Sequence, residues 1–231
     1  MRIIFSRHGN TFSTGAKAIW TGGQADPPLV LEGERQARRL GIALRRARRI
    51  PSAAFCSPLR RTNTFAEIAL ATSGASQPPV PDWRLSEIDY GDWEGLSNIE
   101  VVRRFGARVF FDWYRRSIWP ISNWKTDQDV YVDGIDSFLL DLRRCCGPSE
   151  TILVVTAHGP LKCIGRRLMG KFGDFPVVQL ARVNTGNICE LEMGDAFLRP
   201  VTWNERPDVL LPPAWPNEVL RLPREMRADR Q

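Results

Sequence analysis

The chain has only two histidines in its 231 residues, and both stand in the same local setting. The apolar run Ile3-Ile4-Phe5 gives way through Ser6 and Arg7 to His8, and Gly9 follows it. His158 closes the run Ile152-Leu153-Val154-Val155-Thr156-Ala157, and Gly159 follows. Imidazole is the side chain whose unperturbed pKa lies nearest neutrality, so it serves as nucleophile, base or acid. In open α/β sheets, ligands bind outside the carboxyl ends of the strands. If the two strands are neighbours, His8 and His158 face one site. Glycine after each histidine permits tight backbone geometry and the close approach of a ligand.

Arginine supplies the charge. Arg7 adjoins His8, and Phe55-Cys56-Ser57-Pro58-Leu59-Arg60-Arg61-Thr62 places Arg60 in the first turn of a helix after a second strand. Ser57 suits the N-cap and Pro58 the first helical position. A helix N-terminus already favours anions. Two arginines, two histidines and a helix N-terminus describe a phosphate pocket, because guanidinium pairs bidentately with phosphate oxygens. Arg61 reads as an outward charge, and Asp26, before two prolines, as a turn residue.

The elements that must position these groups alternate. Residues 2–6, 53–56, 151–157, 177–181 and 187–192 read as strands. Residues 33–49, 57–71, 133–145 and 160–170 read as helices. Alternation predicts an α/β fold: a three-layer α/β/α arrangement with a mostly parallel central sheet. Residues 90–126 interrupt the pattern. They hold Trp93, Phe105, Phe110, Trp113, Tyr114, Trp119 and Trp124 and predict a helical, aromatic-rich cap insertion. The expected organisation is a main domain over 1–205 and a Pro/Arg-rich tail over 206–231.

Composition narrows the class. No apolar run approaches the roughly 20 residues of a membrane span, and no signal-peptide core follows Met1. The expectation is a soluble cytoplasmic protein without a membrane partner. Five cysteines, with no C-x-x-C, make neither a disulfide framework nor a zinc ribbon, and no metal or other cofactor is expected. The net charge of +6 is mostly arginine. Much of it lies in residues 33–49, where Ala37, Leu40, Leu44 and Ala47 share one helical face and Arg38, Arg45, Arg46 and Arg49 lie mainly outside it. That pattern is a solvated helix face, and no nucleic-acid-binding motif accompanies it.

Five motifs in order carry a family resemblance: R-H-G-N-T at 7–11, G-E-R-Q-A at 33–37, C-S-P-L-R-R-T at 56–62, L-S-E-I-D-Y-G-D-W-E-G at 85–95 and V-V-T-A-H-G-P at 154–160. They resemble the histidine phosphatase superfamily, also called phosphoglycerate mutase-like. Asn10 departs from the usual Glu or Gln. The resemblance implies His8 as the nucleophile that takes the phosphoryl group, with His158, Arg7 and Arg60 clamping its oxygens. It implies Glu87 as proton donor and then base. It makes Gly159 a backbone donor to phosphate, with Asn184 in a supporting place. Thr14 sits where many members have Asn, and Thr21 or Gly22 where many have Gln-Gly.

The block at 85–95 and the short span to His158 resemble the phosphatase branch, such as the alpha-ribazole and broad-specificity phosphatases. The implied activity is that of a metal-independent, histidine acid-type phosphatase acting on a small-molecule phosphomonoester through phosphohistidine. The alternatives are a mutase-type phosphoryl transferase and a weakly active, protein-binding member. A homodimer is compatible with either. Trp113, Tyr114, Arg115 and Trp119 of the insertion are the candidate substrate-facing residues, against the simpler reading that the aromatics only pack the insertion down.

Overall fold

Strand β1 (Arg2–Arg7) alternates its side chains between two cores, and that alternation organises the molecule. Ile3 and Phe5 point into one apolar cluster and Ile4 into another. In a strand, successive side chains face opposite sides of the sheet. Both sides of β1 are apolar, so both must be covered. The computed structural model of the chain describes residues 1–120, 124–168, 182–194 and 197–211.

The remaining elements are α1 (Leu31–Arg46), β2 (Ala53–Cys56), α2 (Arg60–Ser73), β3 (Val80–Pro81), α3 (Asn98–Phe105), α4 (Ala107–Arg116), α5 (Gln128–Cys145), β4 (Thr151–Thr156), α6 (His158–Leu168), β5 (Ile188–Met193) and β6 (Leu198–Glu205). Short 3-10 turns lie at Trp83–Leu85, Gly91–Trp93 and Pro207–Leu210. Among the described residues the sheet has six strands in the order β3-β2-β4-β1-β5-β6. The first four run parallel; β5 is antiparallel to β1, and β6 to β5. The sheet is therefore mixed, with β5 the one strand running against the rest.

Helices α1 and α2 cover one face, through Ala37, Leu40, Leu44, Phe65 and Ala69. Helices α5 and α6 cover the other, through Phe138, Leu142, Leu161 and Ile164. The helix that follows β1 and the helix that follows β4 thus lie on opposite faces, although β1 and β4 are neighbours. Such a switch of faces opens a crevice at the strands' carboxyl ends. The register sets Arg7 opposite Thr156, so both histidines leave the sheet at that crevice.

Several boundaries differ from the sequence expectation, each for a local reason. Helix α2 begins at Arg60, not at Ser57–Pro58, because its cap comes from another part of the chain. The Asp26 carboxylate accepts from the Arg60 N–H at 2.5 Å and the Arg61 N–H at 3.4 Å. Helix α6 begins at His158 itself, two residues before Pro160. Helix α5 begins near Asp127, whose side chain accepts from the Val130 N–H at 3.0 Å. Among the described residues strand β6 pairs only with β5, and its alternating half-buried and exposed residues carry a weak apolar signal. The expected strand at 177–181 and residues 212–231 of the tail lie outside the described residues.

Between β3 and α5 stand α3 and α4. Helix α3 opens on a capping box: Ser97 Oγ accepts from the Glu100 N–H, and the Glu100 carboxylate accepts from the Ser97 N–H at 2.7 Å. Their apolar faces meet in a third cluster built from rings. Trp113 packs edge-on to Trp124 at 4.7 Å between centroids, Trp93 to Trp124 at 5.3 Å, and Trp20 to Tyr90 at 5.0 Å. Edge-to-face pairs of this kind add about 0.5–1.5 kcal/mol each beyond area burial. Among the described residues, no helix is long and apolar enough to cross a membrane.

Candidate active site

A cavity of about 470 Å³ opens at the carboxyl edge of β1 and β4. Arg7, His8, Arg61, Glu87 and His158 all line it.

His8 is 5 % exposed and fixed by its own backbone. Its main-chain N–H donates to the Thr156 carbonyl at 3.0 Å, which ties the end of β1 to the end of β4. Its Nδ1 lies 2.8 Å from the Gly9 carbonyl oxygen. A carbonyl only accepts, so Nδ1 carries the proton and the lone pair sits on Nε2. Burial first, then the positive charges of Arg7 and Arg61, push the His8 pKa well below the usual imidazole value. The ring is therefore neutral at pH 7. His158, in the first turn of α6, is held neutral in the same way by burial and by Arg7, Lys162 and Arg182.

The cations are also fixed by backbone. Arg7 Nη1 donates to the Val183 carbonyl at 2.8 Å. Arg61 Nη1 donates to the Ala25 carbonyl at 2.7 Å and to Asp26 at 3.2 Å, and its Nη2 to the Gly22 carbonyl at 3.2 Å. Among the described residues, Arg7 Nε, Arg61 Nε and His158 Nδ1 are buried without a hydrogen-bond partner. Leaving such an atom unsatisfied costs about 1–3 kcal/mol. All three belong to residues that line the cavity.

Arg61 corrects the sequence expectation for its neighbour. Arg60 is exposed and does not line the cavity, whereas Arg61 is 1 % exposed and does. Helix phase explains the exchange. The buried stripe of α2 holds Phe65 and Ala69, four and eight residues after Arg61, and Arg60 falls off it. That spacing is readable in the sequence. The N-terminus of α2 is not open to phosphate either, since Asp26 occupies it.

Both glycines also serve another purpose than ligand approach. A Cβ on Gly9 would overlap the Gly33 carbonyl, so Gly9 lets the loop after β1 lie against the first turn of α1. A Cβ on Gly159 would overlap the Glu87 carboxylate. The Gly159 N–H is bonded to Glu87 Oε1 at 2.9 Å and is not a donor to the cavity.

Glu87 is 7 % exposed and takes four donors. They are the N–H groups of Ile88 at 3.0 Å, His158 at 3.1 Å and Gly159 at 2.9 Å, and the Tyr90 hydroxyl at 3.1 Å. Burial, followed by the Glu87 charge, pushes the Tyr90 pKa well up, so its hydroxyl remains a donor. One carboxylate thus stands at the N-terminus of the helix that carries His158.

The outer wall differs from the expected one. Thr14 is exposed and lies outside the cavity; the loop lines it instead with Thr11, Phe12, Ile19, Trp20 and Thr21. Of the four candidate cap residues, Tyr114 alone lines the cavity. Trp113 is buried among the rings and Trp119 packs against it at 5.7 Å. Arg115 stands over the Phe111 ring at 4.6 Å, away from the site. Arg182 and Asn184 reach the rim, where Arg182 Nε donates to Asn184 Oδ1 at 3.1 Å. Asn10 is bound to α1: its N–H donates to Gln36 Oε1 at 2.9 Å, and its Oδ1 accepts from Gln36 Nε2 and from the Thr185 hydroxyl. It joins three segments at the site's edge. Among the described residues, no group of three or more His, Cys, Asp or Glu side chains could hold a metal ion.

A buried neutral imidazole with a free Nε2, two fixed guanidiniums and one carboxylate can receive a phosphoryl group and move a proton. Comparison with known proteins agrees. The profile of the histidine phosphatase superfamily (branch 1) matches residues 3–206. The chain belongs to that superfamily. Its similarity to curated relatives is partial: 34% identity over 120 residues to the 2,3-bisphosphoglycerate-dependent phosphoglycerate mutase of Bifidobacterium longum, covering 52% of this chain and 48% of the mutase. Phosphoglycerate mutase 1 of Saccharomyces cerevisiae is 33% identical over 117 residues, covering 50% and 46%. The chain thus spans about half the length of the curated relatives it matches. Among solved structures, a mycobacterial glucosyl-3-phosphoglycerate phosphatase complexed with VO3 superposes with a TM-score of 0.71 at 22% identity, over 88% of this chain and 98% of that one. Bacillus stearothermophilus YhfR superposes with 0.67 at 24%, over 88% and 96%. These two share the superfamily's fold.

Proposed function

We propose that the chain is a phosphomonoesterase that hydrolyses a small-molecule phosphate ester through phosphohistidine on His8. The observation that carries this reading is the Nδ1–Gly9 hydrogen bond, which leaves a lone pair on Nε2 of a neutral ring between two guanidiniums.

In the first step the Nε2 lone pair forms a bond to phosphorus and the ester P–O bond breaks. This step starts from Glu87 as the carboxylic acid: it gives its proton to the departing alkoxide and becomes the carboxylate, and the second step returns a proton to it. In the second step Glu87 takes a proton from water, the oxygen attacks phosphorus, and the N–P bond breaks to release phosphate and neutral His8. Arg7, Arg61 and His158 meet the charge on the equatorial oxygens throughout. Phe12, Ile19, Trp20 and Tyr114 offer the leaving group a partly aromatic wall, and Arg182 a cation at the rim. These contacts suit substrates larger than a three-carbon phosphate. No metal enters either step, so activity survives chelation.

The test is acid quenching during turnover of p-nitrophenyl phosphate, with mass spectrometry of the His8 peptide. Phosphate on His8, absent in His8→Ala, supports the reading. Turnover without label, or label that persists in His8→Ala, rejects it. A mutase reading is favoured by the curated relatives' names. It makes the second step transfer to a substrate hydroxyl instead of water. Isomerisation of 3-phosphoglycerate, primed by 2,3-bisphosphoglycerate and faster than phosphate release, would select it.

A further inference from the structure

Helix α6 carries a buried cation that the proposed chemistry does not use. Lys162 lies one turn after His158, among the buried Leu161, Cys163 and Ile164, and is 1 % exposed. Its ammonium leaves α6 and meets the end of α4. Nζ donates to the Trp113 carbonyl at 2.7 Å and to the Tyr114 carbonyl at 3.0 Å, and stands 4.5 Å from the centre of the Trp113 ring. The last carbonyls of a helix carry the negative end of its dipole; that of Trp113 already accepts from the Ser117 N–H at 3.0 Å, and the ammonium is a second donor to it. One turn further along α6, Arg166 Nη1 donates to the carbonyl of Ser117, the left-handed residue that ends α4, at 2.9 Å. The helix that bears His158 therefore grips the end of α4 at two levels.

The ammonium is poorly placed for stability alone. Burial pushes the Lys162 pKa down to about 7, and Cys163 and Glu87 only partly offset it. Among the described residues its partners are two carbonyls and a ring, and no carboxylate is bonded to it. What it holds is the turn that bears Tyr114, the one candidate cap side chain that lines the cavity.

We propose that Lys162 is a positioning residue: it clamps the last turn of α4 to the helix that carries His158 and so sets Tyr114 against the leaving group of a bound phosphomonoester. The inference rests on the phosphomonoesterase reading of the cavity. The titratable and charged groups around the ammonium are Glu87, Cys163 and His158, with Arg166 one turn on. A neutral amine keeps N–H donors but loses the charge that strengthens both the carbonyl bonds and the ring contact. The clamp is therefore tightest below pH 7 and slackens above it.

The test compares wild type with Lys162→Met on p-nitrophenyl phosphate, with inorganic phosphate as a competitive inhibitor. The variant should raise KM about tenfold, while the inhibition constant of phosphate, which needs only the inner site, stays within about twofold. Wild-type KM should rise between pH 6 and pH 8, and the variant's should not. Parallel changes in both constants, or no change in either, overturn the proposal. If Lys162→Met does not fold, Arg166→Ala, at an exposed side chain, should act in the same direction more weakly; no effect there also overturns it. If wild type does not turn over the ester, the functional reading has failed, and the clamp is then read by hydrogen exchange. Amides 114–118 should exchange faster at pH 8 than at pH 6 after correction for intrinsic rates, and equal protection overturns the proposal.

Discussion

The inner end of the cavity and its outer wall are built on different principles. At the inner end four polar groups are fixed by main chain. His8 is held by the Gly9 carbonyl, Arg7 by that of Val183, Arg61 by those of Gly22 and Ala25, and Glu87 by three N–H groups. Backbone partners have no rotamers to change, so these groups are anchored by the fold itself. The outer wall carries aromatic side chains on the loop after β1 and on α4, held by packing against one another and, at α4, by the two cations of α6. The first arrangement suits a group that every substrate shares. The second suits the part that varies, since packed side chains can be exchanged without disturbing the sheet.

The adjacent arginines offer the largest test of that contrast. Arg61→Ala should lower kcat/KM by roughly 10²–10³-fold, the usual effect of losing one fixed donor to a transition state. Arg60→Ala should stay within about twofold, because its side chain points to solvent. Steady-state kinetics on one ester measures both. Equal effects would mean that the buried guanidinium is structural only.

Next in size is the response to acid. His8 and His158 are both held neutral by burial and positive neighbours. The acidic limb of kcat/KM should therefore lie below the ordinary imidazole value of about 6.5, falling about tenfold per pH unit once reached. Stability follows the same sign. Their folded pKa values are depressed, so the unfolded chain takes up protons first as pH falls below about 6.5. Each histidine then removes up to about 1.4 kcal/mol per pH unit until its folded pKa is reached. Denaturant melts at pH 7 and pH 5 measure this. A limb at or above 6.5 would show that the fixed cations do not set the charge of the rings.

The smallest effects belong to the outer wall. Tyr114→Ala should raise KM for an aromatic ester by about tenfold or slightly more, at least as much as Lys162→Met, with little change in kcat, the mark of lost uniform binding. Arg115→Ala, at a side chain stacked on Phe111 outside the cavity, should change neither constant. A kcat effect at Tyr114 as large as that at Arg61 would erase the distinction between the two ends.

Much of this was legible in the chain. Apolar runs bounded by His-Gly mark β1 and β4, and the heptad-like stripe of α1 and the motif order point to the α/β fold. Local pattern carries such information because buried strands and amphipathic helices have fixed periods. Arg61 was legible too, through its phase with Phe65 and Ala69, which holds wherever α2 starts; what the chain did not disclose is that start. The start is set by Asp26, thirty-odd residues away, and no local rule predicts it. Strand β6 escaped for a related reason, since an edge strand with one covered face carries half the apolar signal of a buried one.

By itself, then, the sequence determined which chemistry the chain could do: two histidines at strand ends, arginines beside them, a carboxylate in a recognisable block, and the sheet to hold them. Only the tertiary structure decided which groups meet. It turned Arg61 inward, gave the N-terminus of α2 to Asp26 and the Gly159 N–H to Glu87, and assigned both glycines to close contacts within the protein. It also left Tyr114 as the one candidate cap residue on the cavity and sent the Lys162 ammonium across to α4. Each of these outcomes depends on contacts between residues distant in the chain. Composition and periodicity act within a few turns and specify no such partner.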